Sequence, residues 1–308
     1  MSDDPCARSL VTFVMTVWRP RVDWLALAVD SVLAQERCSL ELVLVDDGCE
    51  RPVANLLDVG DPRLRHVRVP HGGLYRARNA GLAAARGEYV RFVDADDFFP
   101  PGGTARLLSL SDGRGDVIAY GGTLRCDPDM TPRRSETCST GSKASLECFL
   151  GGFPVRHMSM LFPQRVLAAV GEWDPSFPAC GDWDYVLRAL DHAAVAGTTE
   201  VVTWYRNHPG AMSADLAACT AGMRRVVHRQ VERHPELAGT RLHRLAAARV
   251  DVKLARSHLD RGEVRRWLEL LRRAVTLDAR TGARAGLAHL PILARISASR
   301  SASAVGVR

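Results

Sequence analysis

The sequence predicts an α/β protein, a mainly parallel sheet flanked by helices, followed by a mostly helical C-terminal region. Three observations predict it. Short β-branched runs alternate with helix-period segments through roughly the first two-thirds of the chain. These runs are apolar throughout, as strands covered on both faces are. From about Ala214 onward Leu, Ala and Arg dominate and helical periodicity takes over. The change divides residues 1–213 from 214–308.

Val11–Val17 (VTFVMTV) reads as the first buried strand. Asp23 then fits a helix start, with Leu25, Val29, Val32 and Leu33 on the apolar face. Glu41–Val45 is a second buried strand, closed by Asp46-Asp47-Gly48, and Leu64–Val69 a third. Ala77–Arg86 is helical in pattern, with Gly87 placed as its C-terminal cap. Glu88–Val93 is the next strand and runs into Asp94-Ala95-Asp96-Asp97. Strands are expected at Asp116–Tyr120, Ser159–Phe162 and Glu200–Tyr205, and helices at Arg165–Val170 and Asp184–Asp191. The polar stretch Asp127–Ser142 reads as a loop. Gly222–Arg233, Arg241–Leu259 and Glu263–Leu277 read as successive helices, and the last eight residues as a frayed end.

Bulk properties exclude whole classes. The 308 residues are 46% hydrophobic and 25% charged, enough for a sizeable core. No apolar run has the length a bilayer crossing needs. The opening MSDDPCARSL has no basic segment or cleavage site of a secretory signal, so a cytoplasmic location is expected. The eight cysteines form no C-x-x-C pair, which removes zinc-site spacing and leaves reduced thiols. From Arg241 to the end, 15 basic residues face five acidic ones, a net +10, while the remainder carries −4. That asymmetry suggests two regions with different partners. Only Lys143 and Lys253 are lysines, so the arginine excess is a compositional bias rather than a nucleic-acid signal.

Asp94, Asp96 and Asp97 sit just past a buried strand, at the edge where open α/β sheets bind ligands. Carboxylates this close repel one another unless a cation neutralises them, and a divalent metal with oxygen ligands does so. An acidic residue of Asp46-Asp47-Gly48, at the same edge, fits either an ordinary turn or a contact to a base or ribose. Asp184 fits a helix N-cap. Asp182, flanked by Trp183, fits a partly desolvated general base, although this segment alone favours the cap reading. His208, in a turn after a strand, fits a structural histidine more readily than a metal ligand.

Taken in order, these segments resemble the family 2 glycosyltransferases of the GT-A fold. The matches run through Val11–Ser213: the first strand, Asp30–Gln35 (DSVLAQ), Glu41–Gly48 (ELVLVDDG) and Ala77–Asp97 (ARNAGLAAARGEYVRFVDADD). Gly171–Phe177 (GEWDPSF), Asp182–Arg188 (DWDYVLR) and Tyr205–Ser213 (YRNHPGAMS) complete the set. The resemblance implies that Thr16 and Asp46 face a nucleoside, with Asp46 holding the base, and that Arg78 shapes the nucleotide pocket. It implies Asp94 on the ribose, Asp96 on a metal bound through the diphosphate, His208 as a second metal ligand, and Asp182 as catalytic base. The implied cofactor is Mg²⁺ or Mn²⁺. The implied donor is a nucleoside-diphosphate sugar, UDP-linked by default, and the acceptor an unidentified hydroxyl. Three positions depart from the family pattern: Trp18-Arg19 where Tyr-Asn is common, Gly181 where Glu is common, and Cys49 where Ser is common.

The expected reaction is metal-dependent, inverting sugar transfer in glycan or glycoconjugate biosynthesis. The alternatives are an aspartate-dependent phosphatase using Asp94 and Asp96, and a non-catalytic sugar-nucleotide-binding scaffold working through the helical tail. For that tail, an apolar face packed on the catalytic domain is the structural reading. Peripheral contact with an anionic membrane surface is the functional one. Trp267 is the tail's lone stacking aromatic, so no nucleic-acid partner is expected.

Overall fold

The computed structural model describes residues 9–57, 60–137, 149–150, 155–212 and 215–305, with side chains through 292. The chain forms two compact units. The first takes in nearly all of the chain up to Ala211; the second comprises Met212 onward with the short pieces Leu150–Gly152 and Pro178–Cys180.

The first unit is built on an eight-stranded sheet of order β3-β2-β1-β4-β7-β5-β6, with β8 paired to β5. The strands β1 (Leu10–Val17), β2 (Ser39–Asp47), β3 (Leu64–Val69) and β4 (Tyr89–Asp94) run parallel; β1, β2 and β4 are mainly apolar and buried, whereas the edge strand β3 (LRHVRV) is polar and partly exposed. β7 (Met160–Pro163) runs antiparallel to β4 and β5 (Val117–Cys126), so the sheet is mixed beyond β4. β8 (Ala194–Arg206) returns parallel to β5. Phe13, Met15, Leu42, Leu44 and Val93 form the core, with Leu25, Val29 and Val32 of helix α1 (Val22–Leu33) packed on it.

Five sequence expectations are corrected. Helix α2 spans Leu74–Ala84 rather than 77–86. Gly87 is therefore not its cap: a Cβ there would lie 2.6 Å from the backbone of Leu10 and Thr12, so glycine lets β1 pass. Asp23 is not the N-cap of α1, a place taken by Arg21; it pairs with Arg21 from the first turn. Asp184 is not a cap either. It lies inside helix α5 (Gly181–Ala189), buried, and binds Arg188 one turn on. The polar stretch 127–142 contains strand β6 (Pro132–Glu136), whose backbone pairs antiparallel with β5 although its side chains are mainly exposed. Residues 138–142 of that stretch lie outside the described residues.

Two elements carried no expectation or a shorter one. Helix α3 (Gly103–Ser111) follows β4, and β8 runs for 13 residues. Helix α4 (Gln164–Val170) follows β7.

The second unit is helical: α6 (Leu216–Arg233), α7 (Arg241–Asp260), α8 (Val264–Leu277) and α9 (Ala279–Val305). The last of these carries helix into the segment expected to fray; residues 306–308 lie outside the description. Asp215 and Thr240 cap α6 and α7 through side-chain hydrogen bonds from Ala218 N and His243 N. Leu254, Leu259, Trp267 and Leu270 are buried, and the Trp267 indole donates to His289 Nδ1 at 2.9 Å. Among the described residues no helix is long and apolar enough to cross a membrane.

Candidate active site

Parallel register brings the predicted residues to one edge. Val17 lies beside Asp46 across β1–β2, and Thr16 lies beside Asp94 across β1–β4. Thr16, Asp46 and Asp94 thus stand along the carboxyl ends of three adjacent strands, where α/β sheets bind ligands.

Asp46 is used locally. Its Oδ1 accepts from Cys49 N (2.8 Å) and its Oδ2 from Val53 N and Arg68 Nη1 (both 3.0 Å). Burial pushes the carboxyl up, but these bonds outweigh it and hold it below its usual range. Asp47 does the same for the next loop, accepting from Gly72 N and Gly73 N and meeting His71 Nδ1. The two aspartates therefore build the loops that flank the strand edge.

Asp96 and His208 meet at the end of β4. Phe98 and Trp204 exchange backbone hydrogen bonds of 3.1 and 2.8 Å, fastening the segment after β4 to β8. Two bonds from Arg206 extend the attachment, from its backbone N to Asp97 Oδ1 and from its side chain to Asp96 O. His208, two residues on, places Nε2 at 2.8 Å from Asp96 Oδ2, with its ring edge-on to Trp24. Burial, then the charge of Asp94, pushes the Asp96 carboxyl up. Asp97 is fully buried, one of its oxygens has no hydrogen-bond partner, and burial with the charges of Asp96 and Asp94 drives it well above the usual range. Such a cluster is short of positive charge.

Among the described residues no three His, Cys, Asp or Glu side chains converge as a ready metal cage. Asp96 and His208, whose polar atoms meet at 2.8 Å, offer an oxygen and a nitrogen donor of the kind a divalent cation takes.

Arg78 and Asp182 are joined by a residue the sequence reading did not single out. Arg78 is buried, its guanidinium over the Trp173 ring at 4.7 Å. Its Nη2 donates to Asp94 Oδ1 at 2.9 Å and to His157 Nε2 at 2.7 Å. The other nitrogen of His157 lies 3.4 Å from Asp182 Oδ2. Asp182 opens helix α5 with its side chain about 30% exposed. Burial pushes that carboxyl up, but the neighbouring His157 ring and the Arg78 guanidinium outweigh it and bring it to about 2. Trp173, stacked on Tyr185 at 3.9 Å, floors this group. A lone histidine in RHMSM has no spacing or charge signature, so only the fold reveals His157.

The sequence profile described as Glycosyl transferase family 2 matches residues 12–164. Over 111 residues the chain is 36% identical to the succinoglycan biosynthesis protein ExoO of Rhizobium meliloti (strain 1021), covering 35% of this chain and 32% of that protein. Over 97 residues it is 41% identical to the uncharacterized glycosyltransferase EpsJ of Bacillus subtilis (strain 168), covering 30% of this chain and 28% of that protein. The chain thus spans about a third or less of these relatives' length. Among solved structures, S. aureus TarS residues 1–349 with UDP-GlcNAc superposes with a TM-score of 0.62 at 14% identity, over 87% of this chain and 81% of that one. The mannosyltransferase PcManGT of Pyrobaculum calidifontis, solved with GDP-Man and Mn²⁺, gives 0.62 at 16% identity, over 96% and 85%. At such identities these two likenesses speak for the fold, and the fold is GT-A. With the family profile on the strands that carry the site, the chain belongs to the family 2 glycosyltransferases.

Proposed function

We propose that the chain transfers a sugar from a nucleoside-diphosphate donor to an acceptor hydroxyl, with inversion at the anomeric carbon, in glycan biosynthesis. The observation that carries this reading is the carboxyl edge of β1, β2 and β4, where Asp94 is linked through Arg78 and His157 to Asp182. Thr16 and the loop organised by Asp46 receive the nucleoside, with Asp46 offering the base its remaining acceptor capacity. Asp94 takes the ribose and Arg78 walls the pocket. Asp96 and His208 would hold a divalent cation, Mg²⁺ or Mn²⁺, which would supply positive charge to the departing diphosphate.

Asp182 accepts the proton of the acceptor hydroxyl as that oxygen bonds to the anomeric carbon from the face opposite the diphosphate. The bond from the anomeric carbon to the diphosphate breaks, and its electron pair leaves with the nucleoside diphosphate. One displacement inverts the centre without a covalent enzyme intermediate. A UDP-sugar is the default donor. A GDP-sugar is the next choice, since a protein of similar fold was solved with GDP-Man.

The family profile over residues 12–164 favours sugar transfer over an aspartate-dependent phosphatase. A cytoplasmic setting is part of this reading. The basic helical region adds a peripheral contact with an anionic membrane face in this reading.

The test is Asp182→Asn, assayed by nucleoside-diphosphate release from UDP-GlcNAc and GDP-mannose with Mn²⁺. Turnover falls about a hundred- to ten-thousandfold, the range for a lost general base, while donor affinity changes little. Near-normal turnover would show that another group takes the proton.

A further inference from the structure

His157 is almost wholly buried on the 3₁₀ turn His157–Ser159 that leads into β7. Its two ring nitrogens face different chemistry. Nε2 lies 2.7 Å from Arg78 Nη2, and a guanidinium has only donors to offer. Nε2 must therefore carry the lone pair, and the ring's proton is assigned to Nδ1. A doubly protonated ring would set an N–H against the N–H of a cation. Among the described residues Nδ1 makes no hydrogen bond, and it points toward Asp182 Oδ2 at 3.4 Å. The edge contact with Trp173, ring centres 6.0 Å apart, holds the imidazole plane. Asp94, Arg78, His157 and Asp182 thus form one continuous line from the end of β4 to the start of α5.

Resting on the reading of Asp182 as the base, we propose that His157 is a positioning residue of the transfer. Its Nδ1–H orients the Asp182 carboxylate toward the acceptor hydroxyl, and Arg78, by occupying Nε2, keeps the ring neutral and ties the base to donor-side Asp94. The 3.4 Å separation closes to a hydrogen bond when acceptor and donor are bound, as catalytic hydrogen bonds that are long in the free enzyme do. Neutrality matters because a cationic ring beside Asp182 favours its ionised form and weakens it as a base. A neutral donor orients the carboxylate without that charge.

Two measurements on the full chain test this. The first needs no substrate: long-range ¹⁵N–¹H correlation spectra of the histidine rings at pH 7, with His157 assigned from the peak missing in His157→Gln. The expected signal is a neutral ring protonated at Nδ1. A ring protonated at Nε2, or at both nitrogens, overturns the proposal. The second compares His157→Asn, which keeps a donor near the Nδ1 position, with His157→Gln, which keeps an acceptor for Arg78. With UDP-GlcNAc or GDP-mannose and Mn²⁺, His157→Gln lowers kcat about ten- to a hundredfold with donor KM unchanged, the range for losing a residue that orients a functional group. His157→Asn restores most of that kcat. Wild-type kcat in His157→Gln overturns the proposal. So does an equal loss in both variants with raised donor KM and lowered Tm, which would make His157 merely structural. Asp182→Asn is run beside them. If it turns over normally, the reading of Asp182 as base has failed; if it is dead while His157→Gln is normal, only the role of His157 has.

Discussion

Gly181 and Tyr75 compete for one volume. The Tyr75 hydroxyl accepts from Gly181 N at 2.8 Å, and a Cβ on Gly181 would lie 2.6 Å from the Tyr75 ring. This accounts for the departure at 181, since the space a larger residue would take beside Asp182 is filled by the tyrosine. Gly181→Ala is therefore expected to destabilise the protein by about 1–3 kcal/mol, the usual cost of overpacking. Thermal melts of Gly181→Ala with and without Tyr75→Ser measure it. The double variant should recover much of the loss, and equal losses would mean the contact is not the cause. At this scale the sequence marked Asp96, Asp182 and His208 as candidates through ordered segments of matched spacing. It could not announce His157 or Tyr75, whose parts depend on which strands and turns come together. Asp46 and Asp47 were legible as turn or ligand residues, and the structure adds that their oxygens bind the amides of the neighbouring loops.

The elements most legible in sequence were β1, β2 and β4, because strands buried on both faces leave nearly unbroken apolar runs. β6 escaped because PRRSE forms its strand by backbone pairing with no apolar signal. The start of α2 was misjudged because Leu74-Tyr75-Arg76 continues no apolar stripe. Two buried polar residues inside the apolar strands show how the sheet is fastened. Arg91 of β4 has no exposed surface, donates to Thr104, Met158 O and Thr203, and burial brings its guanidinium down to about 10, so it stays charged at neutral pH. Glu41 of β2 accepts from Thr12 of β1, Arg86 N and Arg65 of β3. Burial pushes the Glu41 carboxyl up, but those bonds prevail and hold it below its usual range. A carboxyl depressed on folding stabilises above its unfolded value, about 4.3, and loses that contribution as pH falls through the folded value. Glu41→Gln should cost about 1–3 kcal/mol at pH 7 in denaturant melts. The gap from wild type should narrow as pH drops below about 4. A gap independent of pH would mean that shape rather than charge is lost.

Across the whole molecule, charge and composition divide the chain into an acidic front and a basic helical tail, and the chain folds as two compact units. In the helical unit Leu254, Trp267 and Leu270 are buried, whereas Leu268, Leu287 and Leu290 are exposed among arginines. An anionic surface would attract such a region at about 1 kcal/mol for each basic residue near it. Co-sedimentation with phosphatidylserine-containing vesicles should therefore be strong at low salt and fall steeply as ionic strength rises. Neutral vesicles should bind little, and absence of binding at low salt would leave this region a structural role alone.

Donor binding tests the central claim most directly. Calorimetric titration of UDP and of GDP into wild type and Asp96→Ala, each with Mn²⁺ and with EDTA, separates the metal from the pocket. One nucleotide is predicted to bind wild type with Mn²⁺ and to bind far more weakly in EDTA or to Asp96→Ala. Equal binding in EDTA, undiminished binding to Asp96→Ala, or no binding of either nucleotide would contradict the account.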